Sequence, residues 1–271
     1  MEERLFRWGN FSSSSIHCLV APGKREMTEM ESLHHRTLNP KSKAKLIEDD
    51  SIFSTAGETY IEEKGWEKEL RRSIDVEKDS QATLWGKLLE PMVNMLLPED
   101  YRLMSKKRFA HPTIPNWSGM PDIITPTKVG DIKCPEPKAF MKLLQVFRME
   151  RKSLEANLPL KPGHFLKEYS PEYYWQLVSN GILVNRNIAE LIVFMPKEHR
   201  LMDIRKMCEE EEDFVMQEKF KRIYYANAES LALMPDDCTL DELNIFQFEI
   251  PEEDKLLLTN KIIAANKRLA A

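Results

Sequence analysis

The sequence predicts one α/β (α+β) domain in which helices flank a small mixed β-sheet. Segments with helical spacing of apolar residues alternate with short β-branched apolar segments along the 271 residues. The hydrophobic fraction of 42% is ordinary for a globular chain with a sizeable core. No linker long enough to divide the chain is present, so residues 1–271 are expected to form a single domain. Within it we expect an N-terminal helical segment (1–75) and a C-terminal extension (200–271).

The N-terminal part is predicted to be largely helical. Residues 21–50 are rich in charge and poor in apolar periodicity, and they are expected to include a loop and a helix at about 26–34. Residues 54–72 have a composition that favours helix. A further helix is predicted at about 81–97, and Pro98 ends it because proline cannot continue a helix.

Short strands and further helices are predicted after residue 98. The predicted strands lie at 102–110, 119–125, 128–133, 191–195 and 246–250, and the predicted helices lie at 137–155, 171–185, 202–221 and 252–269. Pro126 and Thr127 form the turn between the second and third strands. Helices that flank a small mixed sheet in this order make an α/β or α+β domain.

The charge of the chain is distributed unevenly. The net charge of −5 by itself argues against a nucleic-acid-binding protein. Residues 101–152, however, contain eleven Lys or Arg and only four Asp or Glu, whereas the rest is acidic and includes the run at 209–213. This asymmetry indicates a local basic surface on an acidic protein. Mutual neutralisation of the two parts is the alternative.

Cysteine usage and hydropathy bear on the setting of the protein. Cys18, Cys134, Cys208 and Cys238 form no CxxC pair and no zinc-ligand spacing, so we expect four unpaired thiols and no iron–sulfur cluster. Unpaired thiols are typical of a reducing compartment. No apolar run has the length of a membrane span, and no secretory signal is recognised. We therefore expect a cytoplasmic protein with no membrane association.

The predicted strands around residue 128 carry acids and a lysine at a spacing that suits phosphodiester hydrolysis. Asp122 lies on one strand of a predicted hairpin, and Asp131 and Lys133 lie on the next. Side chains at positions i and i+2 of a strand share a face, so Asp131 and Lys133 point the same way. Two carboxylates suffice to hold Mg²⁺, and a lysine can orient the attacking water. The side chain of Ile132 points to the opposite face, and its backbone carbonyl is a further candidate ligand.

Two helical residues are candidates to complete this site. Glu90 lies off the apolar stripe of the helix at 81–97, and so is either a carboxylate that reaches a wet cleft or a plain surface glutamate. Gln176 lies among aromatic residues on the helix at 171–185 and needs polar partners. It either bridges to a metal-bound water or phosphate, or bonds to the backbone at the edge of the core.

At these residues the chain resembles the lambda-type phage exonucleases, also grouped as YqaJ-like viral recombinases, of the PD-(D/E)xK superfamily. The resemblance covers roughly residues 4–195, and the segments that carry it are Arg7-Trp8-Gly9 with Ser12-Ser13-Ser14 and 16–21, Gly86-Lys87 with Glu90, Asp122 with Asp131 to Lys133, and Cys134-Pro135 with Phe140-Met141-Lys142. Two positions depart from the family pattern. Asp131 stands where the lambda type has glutamate, and Val178 stands where a second glutamine is common.

The resemblance implies a restriction-endonuclease-like PD-(D/E)xK core with metal ligands at defined positions. It implies that Asp122, Asp131 and the Ile132 carbonyl ligate the metal, and that Glu90 completes the metal site or holds its waters. The implied cofactor is Mg²⁺, with Mn²⁺ as an alternative because it accepts the same oxygen ligands, and with two ions per site.

The resemblance also implies roles for residues that bind water, phosphate or DNA. Lys133 is implied to position the nucleophile and Gln176 to support the site from its helix. Arg7 and Ser14 match family positions that hold the 5′-phosphate of the digested strand. An arginine with a hydroxyl is a good phosphate clamp.

The activity implied by the resemblance is digestion of the 5′-terminated strand of duplex DNA, which leaves 3′ single strands for recombination. It also implies a homotrimer, a single-strand annealing partner, and a phage or prophage setting in a bacterial cytoplasm. Two alternatives remain open. The same core serves structure-specific or single-strand nucleases of repair or restriction, and a DNA-end binding module would need no catalysis. The presence of all three acids and the lysine disfavours the last alternative.

Overall fold

The computed structural model describes residues 8–39, 44–74, 80–102 and 107–270. The strands are β1 (Phe11–Ser12), β2 (Pro22–Glu26), β3 (Leu46–Phe53), β4 (Phe109–Ala110), β5 (Trp117–Gly119), β6 (Ile123–Ile124), β7 (Lys128–Lys133), β8 (Ile188–Phe194) and β9 (Leu243–Glu249). The helices are α1 (His17–Val20), α2 (Glu29–Leu38), α3 (Thr55–Leu70), α4 (Gln81–Leu96), α5 (Pro137–Glu155), α6 (His164–Tyr169), α7 (Pro171–Val184), α8 (Leu201–Glu209), α9 (Phe214–Tyr224) and α10 (Glu252–Leu269).

A four-stranded mixed sheet lies at the centre, in the order β6-β7-β8-β9. The middle pair β7 and β8 is parallel, and both outer pairs are antiparallel. The crossover from β7 to β8 contains α5, α6 and α7, as parallel neighbours require a long connection. A three-stranded sheet, β1-β5-β4, and a two-stranded sheet, β2-β3, complete the strands of the described residues. The predicted fold class, a small mixed sheet flanked by helices, is confirmed.

Strand β8 divides the core into two layers. Leu191 and Val193 face a hydrophobic cluster that includes residues of α1, α5, α7 and α10. Ile192 and Phe194 face a second cluster that includes residues of α4, α8 and α9. Because successive side chains of a strand alternate between faces, a strand covered on both sides reads as a continuous apolar run, as 191–194 does. The two faces of β7 are therefore also distinct, and this separation positions the site described below.

Truncation of Ile192 tests this two-layer core. Ile192 is fully buried, whereas Ile245, its direct partner on β9, is 42% exposed. We expect Ile192→Ala to lower the free energy of unfolding by about 2–5 kcal/mol, because it removes buried methyl groups and leaves a cavity. The matched variant Ile245→Ala should cost less than about 1 kcal/mol. Chemical denaturation of both variants measures the difference, and equal losses would contradict this arrangement of the core.

The largest difference from the sequence predictions is a polar β-hairpin, in which the strands β2 and β3 are antiparallel and α2 lies in the connection between them. Strands β2 and β3 pair across residues that were predicted as loop and helix, so the predicted N-terminal helical segment also contains strands. Most of the hairpin is exposed, and apolar alternation could not reveal it. Polar pairing holds it, since Arg25 forms ion pairs with Glu31 and Asp49 at 2.7 and 2.6 Å. The predicted helix at 26–34 begins later, at Glu29, because Thr28 and Glu31 form a capping box.

Two predicted strands are shorter than expected. Within 102–110, the described residues contain a single helical turn at Glu99–Arg102 and the short β4, and 103–106 lie outside the described residues. The predicted strand at 119–125 is wrong as one element. Gly119 ends β5 in one sheet and Ile123 begins β6 in another, with Pro121 between them. Proline lacks a backbone N–H and interrupts a strand ladder at such a point.

The predicted helix at 202–221 is two helices, α8 and α9. The acidic run at 209–213 interrupts them, and Asp213 begins α9 by accepting hydrogen bonds from the N–H groups of Val215 and Met216. An aspartate in this position is a strong helix start. The longest helices, α5 and α10, carry charged residues along their length. Among the residues that the structure describes, no helix is long and apolar enough to cross a bilayer.

Candidate active site

Strand β7 presents an aspartate and a lysine on one face. Lys133 Nζ lies 2.5 Å from Asp131 Oδ2, so the shared face predicted from the i and i+2 spacing is confirmed. The side chain of Ile132 is 8% exposed and packs into the cluster on the other face of the sheet. The residue types of β7 therefore follow from its position in the sheet. The side chain of Ile132 packs among apolar side chains on one face, and Asp131 and Lys133 line a cleft on the other.

Asp122 reaches this end of β7 from its position immediately before β6. Ile123 pairs with Gly130 across the antiparallel strands, and this register places Asp122 beside Asp131. Asp122 Oδ2 accepts a hydrogen bond from the backbone N–H of Ile132 at 2.7 Å. A Cβ at position 130 would lie 3.2 Å from Ile123 Cβ, so glycine allows the close approach of the two strands. The hairpin thus holds the second acid by its backbone.

Gln176 connects the acid and the lysine from helix α7. Its Nε2 donates to Asp131 Oδ1 at 2.6 Å, and its Oε1 accepts from Lys133 Nζ at 3.3 Å. The polar partners that the sequence analysis required for this glutamine are therefore two of the predicted site residues. Tyr173, one turn earlier on α7, places its ring 5.3 Å from Lys133 Nζ. Sequence analysis did not select Tyr173, although its spacing from Gln176 on one helix face is a usable signal.

These residues line one cleft with a volume of about 290 Å³. Glu90 of α4 and Ser14 lie in the same cleft, so the structure brings together seven of the eight predicted site residues. The lining residues are Ser12, Ser13, Ser14, Gly86, Glu90, Arg108, Met120, Asp122, Asp131, Ile132, Lys133, Cys134 and Gln176. Arg7, the eighth, lies outside the described residues. A cleft of this size, lined by convergent polar groups, is a typical binding site.

The carboxylates of the cleft repel one another. Burial raises the pKa of Asp122 well above its ordinary value, and the charges on Asp131 and Glu90 raise it further. Burial lowers the pKa of Lys133, but the charges on Asp131 and Asp122 outweigh this effect and the pKa is raised. Lys133 therefore stays a cation. Burial also raises the pKa of the Cys134 thiol to about 12, so this thiol is protonated at neutral pH.

The donor set fits a hard cation that keeps most of its water. Within the described ranges, no three His, Cys, Asp or Glu side chains converge as a ready-made metal cage. Asp122 and Asp131 nevertheless lie side by side. Burial raises the pKa of Asp122 most and the charge on Asp131 adds to it, and a divalent cation between the two carboxylates would relieve this repulsion. Mg²⁺ suits such a site because it is commonly held by one or two carboxylates and several waters. Ile132, the proposed carbonyl ligand, lines the cleft, and its N–H already binds Asp122.

Residues that the sequence analysis did not select also line the cleft. Arg108 contributes a guanidinium group, and its Nη1 donates to Ser118 Oγ at 3.4 Å. The basic stretch predicted at 101–152 contains Arg108, and so the charge pattern could have drawn attention to it. The hydroxyl of Ser12 bonds to that of Ser14 at 2.7 Å. Two hydroxyls rather than one are therefore presented on this wall.

The predicted basic segment is divided between two roles. Lys128 is used internally, since its Nζ forms an ion pair with the buried Glu190 at 2.8 Å and donates to Tyr101. The remaining basic residues of the segment include a group that is exposed on α5: Lys138, Lys142, Arg148, Arg151 and Lys152. This helix begins four residues after Lys133. The exposed basic residues of the segment are thus concentrated on the helix that follows Lys133 in the chain.

The fold and the cleft together define an α+β protein whose central mixed sheet and helices bring together two acids, a lysine and a bridging glutamine. No protein-family model matches the chain, and no curated protein matches it by sequence. Solved structures do match. The alkaline exonuclease LHK-Exo from Laribacter hongkongensis is 13% identical, with a TM-score of 0.54 over 97% of this chain and 89% of that chain.

Two further solved structures have the same fold. LHK-Exo in complex with dAMP gives 13% identity and a TM-score of 0.53 over the same shares of the two chains. A phage related exonuclease from Haemophilus somnus 129PT is 15% identical, with a TM-score of 0.51 over 96% of this chain and 93% of that chain. At such identities the likeness concerns the fold. The expected resemblance to phage exonucleases is confirmed at the level of the fold.

Proposed function

We propose that the protein is a metal-dependent deoxyribonuclease that digests the 5′-terminated strand of duplex DNA and leaves 3′ single strands. The observation that carries this proposal is the bridge from Gln176 to both Asp131 and Lys133, beside Asp122 in one cleft. An acid, an ammonium group and a fixed amide at this spacing suit in-line attack of water on a phosphodiester. The likeness in fold to exonucleases supports the same reaction class.

The chain's own residues divide the work of hydrolysis. Asp122 and Asp131 are the proposed ligands of Mg²⁺ or Mn²⁺, with Glu90 and the Ile132 carbonyl completing a site for two ions. The bound ions would supply a water of lowered pKa and neutralise the charge that builds on the phosphate. Lys133 remains a cation and would hold the attacking water or the scissile phosphate. Gln176 keeps the ammonium group and the carboxylate of Asp131 at a fixed distance.

Recognition of the strand end is assigned to the serine residues that line the cleft together with the acids. Ser14 lies in the cleft and its hydroxyl is paired with that of Ser12. With Arg7, these hydroxyls are proposed to bind the 5′-phosphate, because a guanidinium group and hydroxyls form a good clamp for a doubly charged oxyanion. The basic residues exposed on α5 are suited to DNA phosphates. The dAMP bound by LHK-Exo is of the class of product that exonuclease digestion would release here.

The proposal extends to partners and setting by resemblance to the phage exonucleases. We propose duplex DNA ends as the substrate, a homo-oligomer such as a trimer as the working form, and a single-strand annealing protein as the partner. The setting would be a phage or prophage recombination system in a bacterial cytoplasm. Light scattering of the purified protein tests the oligomeric state. Co-purification with a candidate annealing protein tests the partner.

Digestion of end-labelled duplexes tests strand polarity and the phosphate clamp. With Mg²⁺ present, a blunt duplex with one 5′-phosphate should lose nucleotides from that strand, while the complementary strand stays intact. Rates on 5′-phosphorylated ends should exceed those on 5′-hydroxyl ends by about 10-fold or more, as expected for loss of a charged hydrogen-bonded contact. A reaction with chelator serves as the control.

Degradation from 3′ ends, or equal cutting of single strands and internal sites, would favour a repair or restriction nuclease instead. Binding of ends without any cleavage would favour an end-binding module.

A further inference from the structure

Helix α3 holds the serine segment, defined here as residues 9–14, which forms one wall of the cleft. The backbone N–H of Ser12 donates to the hydroxyl of Tyr60 at 2.9 Å. The backbone N–H of Gly9 donates to Glu67 Oε2 at 2.8 Å. Tyr60 and Glu67 are two turns apart on α3 and therefore share one face of the helix. The segment is thus attached to the same helix face at two points.

This face of α3 contains a buried charge pair. Lys64 lies between the two contact residues, with Nζ 2.8 Å from Glu67 Oε2 and 5.2 Å from the centre of the Tyr60 ring. Tyr60, Lys64 and Glu67 are 6%, 8% and 2% exposed. Burial raises the pKa of Glu67, but Lys64 and the Gly9 N–H outweigh it and the pKa is lowered, so Glu67 stays ionised. A buried, hydrogen-bonded pair of this kind resists displacement because breaking it exposes an uncompensated charge.

The serine segment is also held from the side opposite α3. Phe11 and Ser12 pair with β5, and the hydroxyl of Ser13 bonds to that of Ser179 on α7 at 2.8 Å. Ser179 also accepts from Trp117 Nε1 at 2.9 Å. Ser13 therefore points into the core, whereas Ser12 and Ser14 present their hydroxyls to the cleft. Their direction depends on the backbone at Ser12, which the Tyr60 hydroxyl holds.

We propose that Tyr60 is a positioning residue for recognition of the 5′ end: it fixes the Ser12 backbone and thereby aims the paired hydroxyls of Ser12 and Ser14 at the terminal phosphate. The inference rests on the proposed function and deepens it. Tyr60 does not touch the reacting atoms. Its effect should therefore appear in the preference for phosphorylated ends and not in the chemical step. Glu67, through Gly9, acts in the same direction at the start of the segment.

The variant Tyr60→Phe isolates this role. It removes the hydroxyl that accepts from Ser12 and keeps the ring, which packs edge-on against Phe11 at 5.7 Å. On 5′-phosphorylated duplex we expect KM to rise about 5–10-fold, which corresponds to one lost hydrogen bond, with kcat unchanged. On 5′-hydroxyl duplex neither parameter should change. The ratio of the two specificities does not depend on the active fraction of a preparation, so partial misfolding does not obscure the result.

A matched control separates position from stability. Tyr174→Phe likewise removes a buried tyrosine hydroxyl, which bonds to Asp254 Oδ2 at 2.5 Å, far along the chain from the serine segment. It should lower the melting temperature without changing the end preference. Glu67→Gln should lower the end preference, as Tyr60→Phe does.

These assays distinguish failure of the proposed phosphate clamp from failure of the role inferred for Tyr60. If the wild-type protein digests phosphorylated and hydroxyl ends equally, the proposed clamp is wrong and this inference falls with it. If the wild-type protein prefers phosphorylated ends and Tyr60→Phe keeps that preference, the inference alone is wrong. An equal loss of rate on both ends in Tyr60→Phe, with an unchanged ratio, would show a purely structural role and also overturn it.

Discussion

Replacing Lys133 by alanine is expected to lower the rate of DNA cleavage by on the order of 10³-fold, the loss typical of removing a group that stabilises charge in the transition state. Lys133 Nζ lies 2.5 Å from Asp131 and 3.3 Å from Gln176 Oε1, so it is fixed before substrate arrives. Its side chain is only 24% exposed, and the pair is shielded from bulk water. Single-turnover digestion of a 5′-phosphorylated duplex measures the effect.

Lys206→Ala is the control for loss of a lysine. Lys206 lies on α8, its side chain is 69% exposed, and its ion pair with Glu210 at 3.6 Å is a surface contact. This variant should digest DNA at the wild-type rate. Fluorescence anisotropy should show that Lys133→Ala still binds duplex ends. Metal-dependent cleavage by Lys133→Ala at the wild-type rate would contradict the assigned site.

Replacing Asp122 by asparagine is expected to lower the rate of cleavage by a similar factor, on the order of 10³-fold, because it removes a proposed metal ligand. The same replacement is expected to stabilise the metal-free protein. Burial and the charge on Asp131 raise the pKa of Asp122, so ionisation of this carboxyl costs more free energy in the folded protein than in the unfolded chain. The folded protein therefore loses stability as pH rises above the unfolded pKa of about 4. Asparagine removes the charge and keeps an oxygen that can accept the Ile132 N–H.

Thermal unfolding across pH measures this second effect. At neutral pH without divalent ions, Asp122→Asn should melt a few degrees above the wild type, since about 1 kcal/mol corresponds to about 2–4 °C in a protein of this size. The difference should shrink as pH falls and should vanish below about 4, where the wild-type carboxyl is protonated in both the folded and the unfolded state. Mg²⁺ should stabilise the wild type more than the variant, because a ligand that binds the folded state raises its stability.

Asp236→Asn is the matched control for this charge removal. The backbone N–H of His199 lowers the pKa of Asp236, and the His199 side chain lowers it further, so its ionised form is favoured by folding. The sign of its contribution is opposite to that of Asp122. Asp236→Asn should therefore show no rise in melting temperature at neutral pH. A rise in both variants would mean that net charge, and not local repulsion, controls the stability.

Strand β7 could be predicted from the sequence because its determinants are local. The positions of Asp131, Ile132 and Lys133 follow from strand alternation alone, and β7 has the predicted bounds 128–133. Helix α5 likewise has its predicted bounds, since Pro137 begins it and its apolar spacing is regular. Gln176 was a candidate because a glutamine among aromatic residues requires partners. The structure supplies those partners.

The support of the serine segment could not be predicted from the sequence. The contact between Gly9 and Glu67 joins residues 58 positions apart, and that between Ser13 and Ser179 joins residues 166 positions apart. No local pattern encodes such distances. A buried glutamate and lysine on α3 also read as an ordinary solvated helix face, because charge is the usual sign of exposure. The β2–β3 hairpin was missed for the related reason that its pairing is polar.

Because the side chain of Gln176 forms hydrogen bonds with both Asp131 and Lys133, the positions of these two groups depend on the position of helix α7. Trp175 and Leu177, the neighbours of Gln176 on either side in the chain, are both buried, so α7 is packed in the core around the glutamine. A small rotation of α7 would move Gln176 and so displace the carboxylate of Asp131 and the ammonium group of Lys133 together. Substitutions deep in that helix interface should consequently disable the cleft as a unit, and no separate loss of one partner is to be expected from them.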